Sequence, residues 1–271
     1  MMLRRRRRGV QTIGQTPAYA RFTPRVSVLV AVHDRGQDAV EALTSVAASL
    51  YDALEVLVLH DTSSDPPASA LSRFLDDHPS LPAILLRRPV NRGLAHARNT
   101  LVEHARGEYL FILDPTGGIY PSTLQRLVTA LDVDPQAIFS YPMVAVFNED
   151  HRPVKLLSSL PWEPQRLKHE NWIDATVLIR RARLLELGGY CADPRLAGWE
   201  DFDLWCRCAD AAGHGVHVPQ VLAWHRRTVG LATAHSENGT PANWALMRER
   251  FPQLLAPSVA ILSLTQIGAR S

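Results

Sequence analysis

A chain of 271 residues, 46% of them hydrophobic, is long enough for one large α/β domain or two small ones and has ample apolar surface for a packed core. Much of its formal charge of +2 comes from Arg4 to Arg8, so the body of the chain lacks the basic field of a nucleic-acid binder and small-molecule partners are expected. The arginine run has no apolar stretch behind it and so is not a secretory signal, and no window reaches the roughly 18 apolar residues of a spanning helix. Three cysteines, Cys191, Cys206 and Cys208, support neither a disulfide framework nor a zinc site, and free thiols in a reducing, cytoplasmic compartment are expected.

Residues 1–24 are basic, then turn-rich, and read as a disordered lead-in. Val26 to Val32 (VSVLVAV) is a continuous apolar run that predicts a buried strand, followed by the polar turn His33-Asp34-Arg35-Gly36 and a helix over Asp38 to Leu50. The unit repeats with Leu54 to Leu59, a polar loop starting His60-Asp61, and a helix around Ala68 to Asp77. It repeats again with Ala83 to Leu86, the turn Asn91-Arg92-Gly93 and a helix to Ala105, and Glu108 to Leu113 closes the series before Asp114. Strands apolar on both faces, alternating with helices, predict a parallel sheet covered on both sides, hence a three-layer α/β/α sandwich.

After a helix over Pro121 to Leu131 the alternation changes. Ala137 to Phe147, Val154 to Leu157 and Thr176 to Ile179 read as strands of a mixed or antiparallel half, and a short helix from near Arg181 ends at Gly188-Gly189. The next helix opens on two adjacent carboxylates, Glu200 and Asp201, with Leu204, Trp205, Cys208, Ala209 and Ala212 on its apolar face. Val216 to Val218 and Val221 to Trp224 read as short strands, and Ala242 to Arg250 as the last helix.

Ligands of such sheets bind beyond the carboxyl ends of the strands, where this chain places His33-Asp34, Asp61 and Asp114. Three acids leaving three strands on one edge predict a binding crevice. There is no Walker phosphate loop, no GxGxxG after the first strand, no GxSxG elbow and no HExxH, so nucleotide hydrolases, dehydrogenases, α/β-hydrolases and zinc peptidases lose support.

VSVLVAVHDR, LHDTSSD, NRGLAHARNT, EYLFILDPTGGIYPSTL, NWIDATVLIRR, LLELGGY and GWEDFDLWCR stand in the order and spacing of the family 2 glycosyltransferases, which the chain resembles from about Arg25 to Thr228. The resemblance implies the GT-A fold, with a Rossmann-like, mixed but mostly parallel sheet, in a domain over 25–235 followed by a C-terminal helical extension over 236–271. It implies inverting transfer of a sugar from a nucleotide-sugar, a UDP-sugar by preference, to an acceptor hydroxyl of a cell-envelope glycan or lipid-linked acceptor, with no nucleic-acid partner and with peripheral membrane association as an option. By position it implies that Asp61 reads the nucleobase, that Ala31 and His33 lie along the base, that Arg92 stands near the nucleotide, and that Asp114 approaches the ribose and metal. Asp201 matches the catalytic base, with Glu200 beside it. Asp174 falls on the acceptor side, and Trp199 offers a stacking face to a sugar.

The chain departs from the family where further acids normally follow Asp114: it has Thr116, and then Gly117-Gly118. A divalent cation, Mg²⁺ or Mn²⁺, is the cofactor the resemblance implies, with Asp114 and His225 as its ligands. If it binds weakly, Arg92, Arg98, His225, Arg226 or Arg227 are left to hold the diphosphate. The alternative reading is a catalytically impaired nucleotide-binding subunit of the same fold.

Overall fold

The computed structural model describes residues 9–33, 36–61, 66–226 and 240–256. The arginine run, Asp34, the 62–65 loop, Arg227 and the boundary near 235 lie outside them. The chain begins with strand β1 (Gln11–Gln15), followed by β2 (Val26–Val32), helix α1 (Gly36–Ala47), β3 (Leu54–Asp61), α2 (Pro66–Asp77), β4 (Ala83–Arg88), α3 (Leu94–His104) and β5 (Tyr109–Ile112). There follow β6 (Gly117–Ile119), α4 (Thr123–Val133), β7 (Phe139–Phe147), β8 (Pro153–Leu157), β9 (Leu178–Arg180) and α5 (Arg181–Glu186). The chain then continues through α6 (Glu200–Asp210), β10 (Gly215–Arg226) and α7 (Pro241–Arg250).

All ten strands join one sheet in the order β1-β4-β3-β2-β5-β9-β7-β10-β6, with β8 added to β7. The block β4-β3-β2-β5 is parallel, as the unbroken apolar runs predict, and β7 and β10 are parallel to each other. Antiparallel β9 joins the two blocks. Side chains alternate across β2: Val26, Val28, Val30 and Val32 pack with residues of α1, α2 and α4, whereas Leu29 packs with residues of α3 and α6. Helices therefore cover both faces, and the three-layer GT-A sandwich is present.

Three local readings change. Gln11–Gln15, within the predicted lead-in, forms an edge strand antiparallel to β4, because the backbone groups of β4 would otherwise face water on that side. The two short strands expected around Pro219 are one strand, β10, whose register against β7 shifts between Val218 and Ala223. A bulge accommodates the proline, which has no N–H to give the ladder. Gly117–Ile119, which lies outside the strands expected from the sequence, pairs with β10.

Helix α7 packs into the core that holds α6. Trp244 sits edge-on to Trp199 and Phe202 with ring centroids 5.3 Å apart, Met247 is buried, and Arg250 donates to Asp203 at 2.6 Å. Cys206 and Cys208 are buried free thiols, and Cys191 is half-buried. No helix among the described residues is long and apolar enough to cross a membrane.

At the amino ends of the parallel strands, Glu55 is fully buried and accepts from Ser27 Oγ at 2.6 Å, Arg106 N at 2.8 Å and Arg106 Nε at 2.7 Å. These donors tie β2 and β3 to the turn before β5. Glu55→Ala leaves three buried or half-buried donors without an acceptor and is expected to cost about 3 kcal/mol in urea unfolding, against under ~1 kcal/mol for an exposed pair such as Arg183–Glu186.

Candidate active site

The carboxyl ends of β3 and β4 carry a cross-strand ion pair. Asp61 and Arg88 are register partners as the last residues of their strands, so their side chains leave the same face of the sheet edge side by side. Arg88 grips the Asp61 carboxylate with two bonds, Nε to Oδ1 at 2.6 Å and Nη2 to Oδ2, and both residues are buried. His33, just past β2, places Nδ1 3.2 Å from the Asp61 carbonyl oxygen and Nε2 3.4 Å from Asn91 Nδ2. Asn91 Oδ1 accepts from Gly93 N at 2.8 Å, which shapes the turn into α3; Gly93 has φ +88°. Ala31 is half-buried on the α3 face of β2, and Arg92 is exposed in the turn. Arg88 was not anticipated from the sequence, although a basic residue ending the strand after Asp61 was the available signal.

A second cluster forms where β5 ends. Asp114 Oδ1 accepts from Thr116 N at 2.8 Å and from Thr116 Oγ1 at 2.7 Å, so Thr116 orients the acid and leaves Asp114 Oδ2 unused by this turn. Gly117 and Gly118 pair with His225 and Trp224 of β10. A Cβ on Gly117 would stand 2.5 Å from His225 Nδ1, and one on Gly118 2.5 Å from the Trp224 ring. The two glycines after Thr116 are thus the residues that let two rings of β10 close over β6.

His225 Nε2 lies 3.0 Å from Asp174 Oδ1 and 3.4 Å from Thr176 Oγ1. Asp174 is 2% exposed and accepts from Thr176 N at 2.8 Å, while its own N–H goes to Ser158 Oγ. Burial works against a charged imidazole here, but the Asp174 carboxylate, with a smaller contribution from Asp114, outweighs it and raises His225 to about 9. Asp174, expected on the acceptor side, lies beneath His225 and acts on the crevice through it.

The third cluster surrounds the start of α6. Asp201 Oδ1 accepts from Arg98 Nη1 at 2.7 Å, with both side chains 6% exposed. Arg98, expected as a candidate for the diphosphate, is thereby committed to Asp201. Burial disfavours its charge, and Asp201 with Tyr190 and Glu200 more than restores it, so its pKa lies above the ordinary value. Glu200 is also buried, and Oε2 has no hydrogen-bond partner among the described residues; burial raises its pKa from the ordinary value. Trp199, expected to face a sugar, is 8% exposed and packs edge-on against Phe202 and Trp244, so its ring supports the α6 start instead of lining an open face. Arg226 pairs with Glu41 of α1 at 2.7 Å.

Among the described residues no three His, Cys, Asp or Glu side chains converge as a self-sufficient metal site. The donors present nevertheless fit a cation shared with a diphosphate. Among the described residues Asp114 Oδ2 has no hydrogen-bond partner, and His225 gives Nε2 to a carboxylate, the arrangement that orients a metal-binding imidazole.

These strand ends and acids stand on the carboxyl edge of a mixed, mostly parallel sheet covered on both faces, and comparison with known proteins agrees with that fold. The profile of Glycosyl transferase family 2 matches residues 27–195, and the chain belongs to that family. EpsE of Bacillus subtilis is 24% identical over 200 residues, 73% of this chain and 72% of EpsE. The succinoglycan biosynthesis protein ExoO of Rhizobium meliloti is 30% identical over 159 residues, 58% of this chain and 44% of ExoO, so the chain spans less than half of that relative. Among solved structures, residues 1–349 of S. aureus TarS with UDP-GlcNAc superpose with a TM-score of 0.66 at 16% identity, covering 86% of this chain and 70% of TarS. The mannosyltransferase PcManGT of Pyrobaculum calidifontis, with GDP-Man and Mn²⁺, gives 0.61 at 24% identity, covering 88% of this chain and 64% of that one.

His225 makes stability depend on pH. Its folded-state value lies above the ordinary 6.5, so the protonated ring stabilises the fold below that pH and the contribution fades as pH rises through about 9. His225→Gln is expected to reduce the loss of unfolding free energy between about pH 6 and about pH 10 by on the order of 2–3 kcal/mol, measured by urea unfolding at both.

Proposed function

We propose that the chain transfers a sugar, with inversion, from a nucleotide-sugar to an acceptor hydroxyl, and that the preferred donor is a UDP-sugar. The observation that carries the reading is the buried, ion-paired Asp201 beside Glu200 at the start of α6. A buried ion pair adds little stability over an apolar pair of similar volume, so its use here is better explained by chemistry.

In this reading Asp61 and Arg88 meet the edge of the base. Each Asp61 oxygen keeps a lone pair beyond its bond to Arg88, so the pair offers an acceptor for the uracil N3–H beside a donor for a flanking carbonyl. Ala31 and His33 lie along the base, and Arg92 stands near the phosphates. Asp114, oriented by Thr116, approaches the ribose and diphosphate. Asp114 Oδ2 and His225 Nδ1 are the atoms that would hold a divalent cation, which when bound supplies positive charge to the departing diphosphate. The acceptor oxygen attacks the anomeric carbon from the face opposite the phosphate, the carbon–oxygen bond to the diphosphate breaks with its electron pair, and the hydroxyl proton passes to Asp201. Products are the glycoside and a nucleoside diphosphate.

The acceptor proposed is a glycan or lipid-linked glycan of the cell envelope. The names of ExoO and of the O-antigen biosynthesis protein RfbC of Myxococcus xanthus, 24% identical over 217 residues, support that class. Cytoplasmic placement, with peripheral attachment to a membrane, is the corresponding location.

Two measurements test the reading. UDP at about a hundred times its dissociation constant is expected to raise the melting temperature by roughly 5–10 °C, more with Mn²⁺ than without and more than GDP or dTDP does. A larger shift with GDP would overturn the UDP preference, and no shift with any nucleotide would overturn the transferase reading and the nucleotide-binding subunit alike. Asp201→Asn is expected to lower kcat by about 10²–10⁴-fold with UDP binding retained, and unaltered turnover would remove Asp201 as the base.

A further inference from the structure

We infer that Arg98 is a positioning residue for proton transfer: it clamps Asp201 through Oδ1 and leaves Oδ2 for the proton of the acceptor hydroxyl. This rests on the transferase reading above, and it concerns a residue 103 positions away in the chain from the acid it serves.

Arg98 is 5% exposed and lies on the inner face of α3, between the two halves of the sheet. A guanidinium is buried to that degree only when it is matched, and its hydrogen-bond partner here is Asp201 at 2.7 Å. The guanidinium also lies over the Tyr190 ring, 5.0 Å from its centroid, so its plane is held from below.

The neighbouring residue anchors the same stretch of α3. Asn99 Nδ2 donates to the Tyr190 carbonyl and Asn99 Oδ1 accepts from Tyr190 N, each at 2.8 Å. A Cβ on Gly189, where φ is +78°, would stand 2.6 Å from Asn99 Oδ1. Consecutive residues of α3 thus grip the turn at 188–190 and the first turn of α6 together. The segment that resembles the family as NRGLAHARNT is in this way tied to LLELGGY and GWEDFDLWCR around one charge.

A plain strut would not need a charge, since an apolar pair of similar volume would hold two helices as well. What the ion pair adds is direction. A general base must present one lone pair to the acceptor within about 3 Å, and a displacement of about 1 Å costs roughly 10²-fold in rate. With Oδ1 held, the second oxygen has a fixed orientation. The titratable groups around Asp201 are Arg98 on α3, Tyr190 on the turn before α6 and Glu200 beside it, and Arg98 is the cation among them.

The test compares the full chain with Arg98→Met and Arg98→Lys, measuring kcat and donor KM, with melting temperature as the folding control. Arg98→Met is expected to lower kcat by about 10²-fold with donor KM within about twofold. Arg98→Lys keeps the charge without the fork, so kcat is expected to fall about tenfold with donor KM again unchanged. A drop in melting temperature with kcat unchanged would make Arg98 a strut and overturn the inference. If Arg98→Met does not fold, unaltered kcat in Arg98→Lys overturns it equally. No turnover by the parent chain with any donor would overturn the transferase reading and this inference with it, whereas turnover with unaffected variants would overturn this inference alone.

Discussion

The buried ion pair between Arg98 and Asp201 is the contact on which the arrangement of the cleft depends. Arg98 comes from α3, which connects β4 to β5 within the parallel block, and Asp201 from α6, which leads into β10 of the second block, so one bond joins the two blocks. Separating the two elements would leave an unpaired charge in a nearly dry place, at a cost of about 3–5 kcal/mol. That is a large part of the roughly 5–15 kcal/mol by which a domain is stable. Rotation of α6 about its first turn is opposed in the same way, and the aromatic packing of Trp199 and Phe202 against Trp244 closes the other side.

The direction of the strands places the remaining groups. Because β2, β3, β4 and β5 run parallel, each ends on the same edge, and each delivers a polar side chain there: His33, Asp61, Arg88 and Asp114. Cross-strand register then decides partners, pairing Asp61 with Arg88 directly. Strand β10 contributes from the other side, and its approach requires that β6 be almost without side chains. Gly117 and Gly118 meet that requirement, so the apparent erosion of the acidic motif after Asp114 is also the condition for bringing His225 over Asp174.

How much of this was legible follows from whether the determinant is local. Strands β2 and β3 are unbroken apolar runs, and the acids at their ends and at the start of α6 stand out because polar residues follow or precede strong patterns. Strand β1 has the sequence QTIGQ, with Ile13 as its lone large apolar residue, and it becomes a strand because the edge of β4 offers it backbone partners. Strand β6 is Gly-Gly-Ile and carries no pattern at all. At the strand ends and the start of α6 the acids Asp61, Asp114 and Asp201 stand out in the sequence, while the arginines that grip two of them, Arg88 and Arg98, do not. Arg88 and Arg98 lie 27 and 103 residues from their partners, a separation that no spacing rule covers. The packing of Trp199 was illegible for a related reason: its ring meets that of Trp244 on α7, some 45 positions later in the chain.

The adjacent acids at the start of α6 share a site but not a state. Two carboxylates side by side, both nearly buried, are not balanced by a single guanidinium, and Arg98 bonds to Asp201 while Glu200 Oε2 has no partner among the described residues. Burial therefore raises the Glu200 pKa and disfavours its charge. Under the proposed mechanism this division is useful. A second full negative charge beside Asp201 would repel the nucleoside diphosphate as charge builds on it, and burial works against that charge. Environments that push paired acids apart are how one site assigns distinct roles to chemically similar groups, and here the assignment follows from which of the two the α3 arginine can reach.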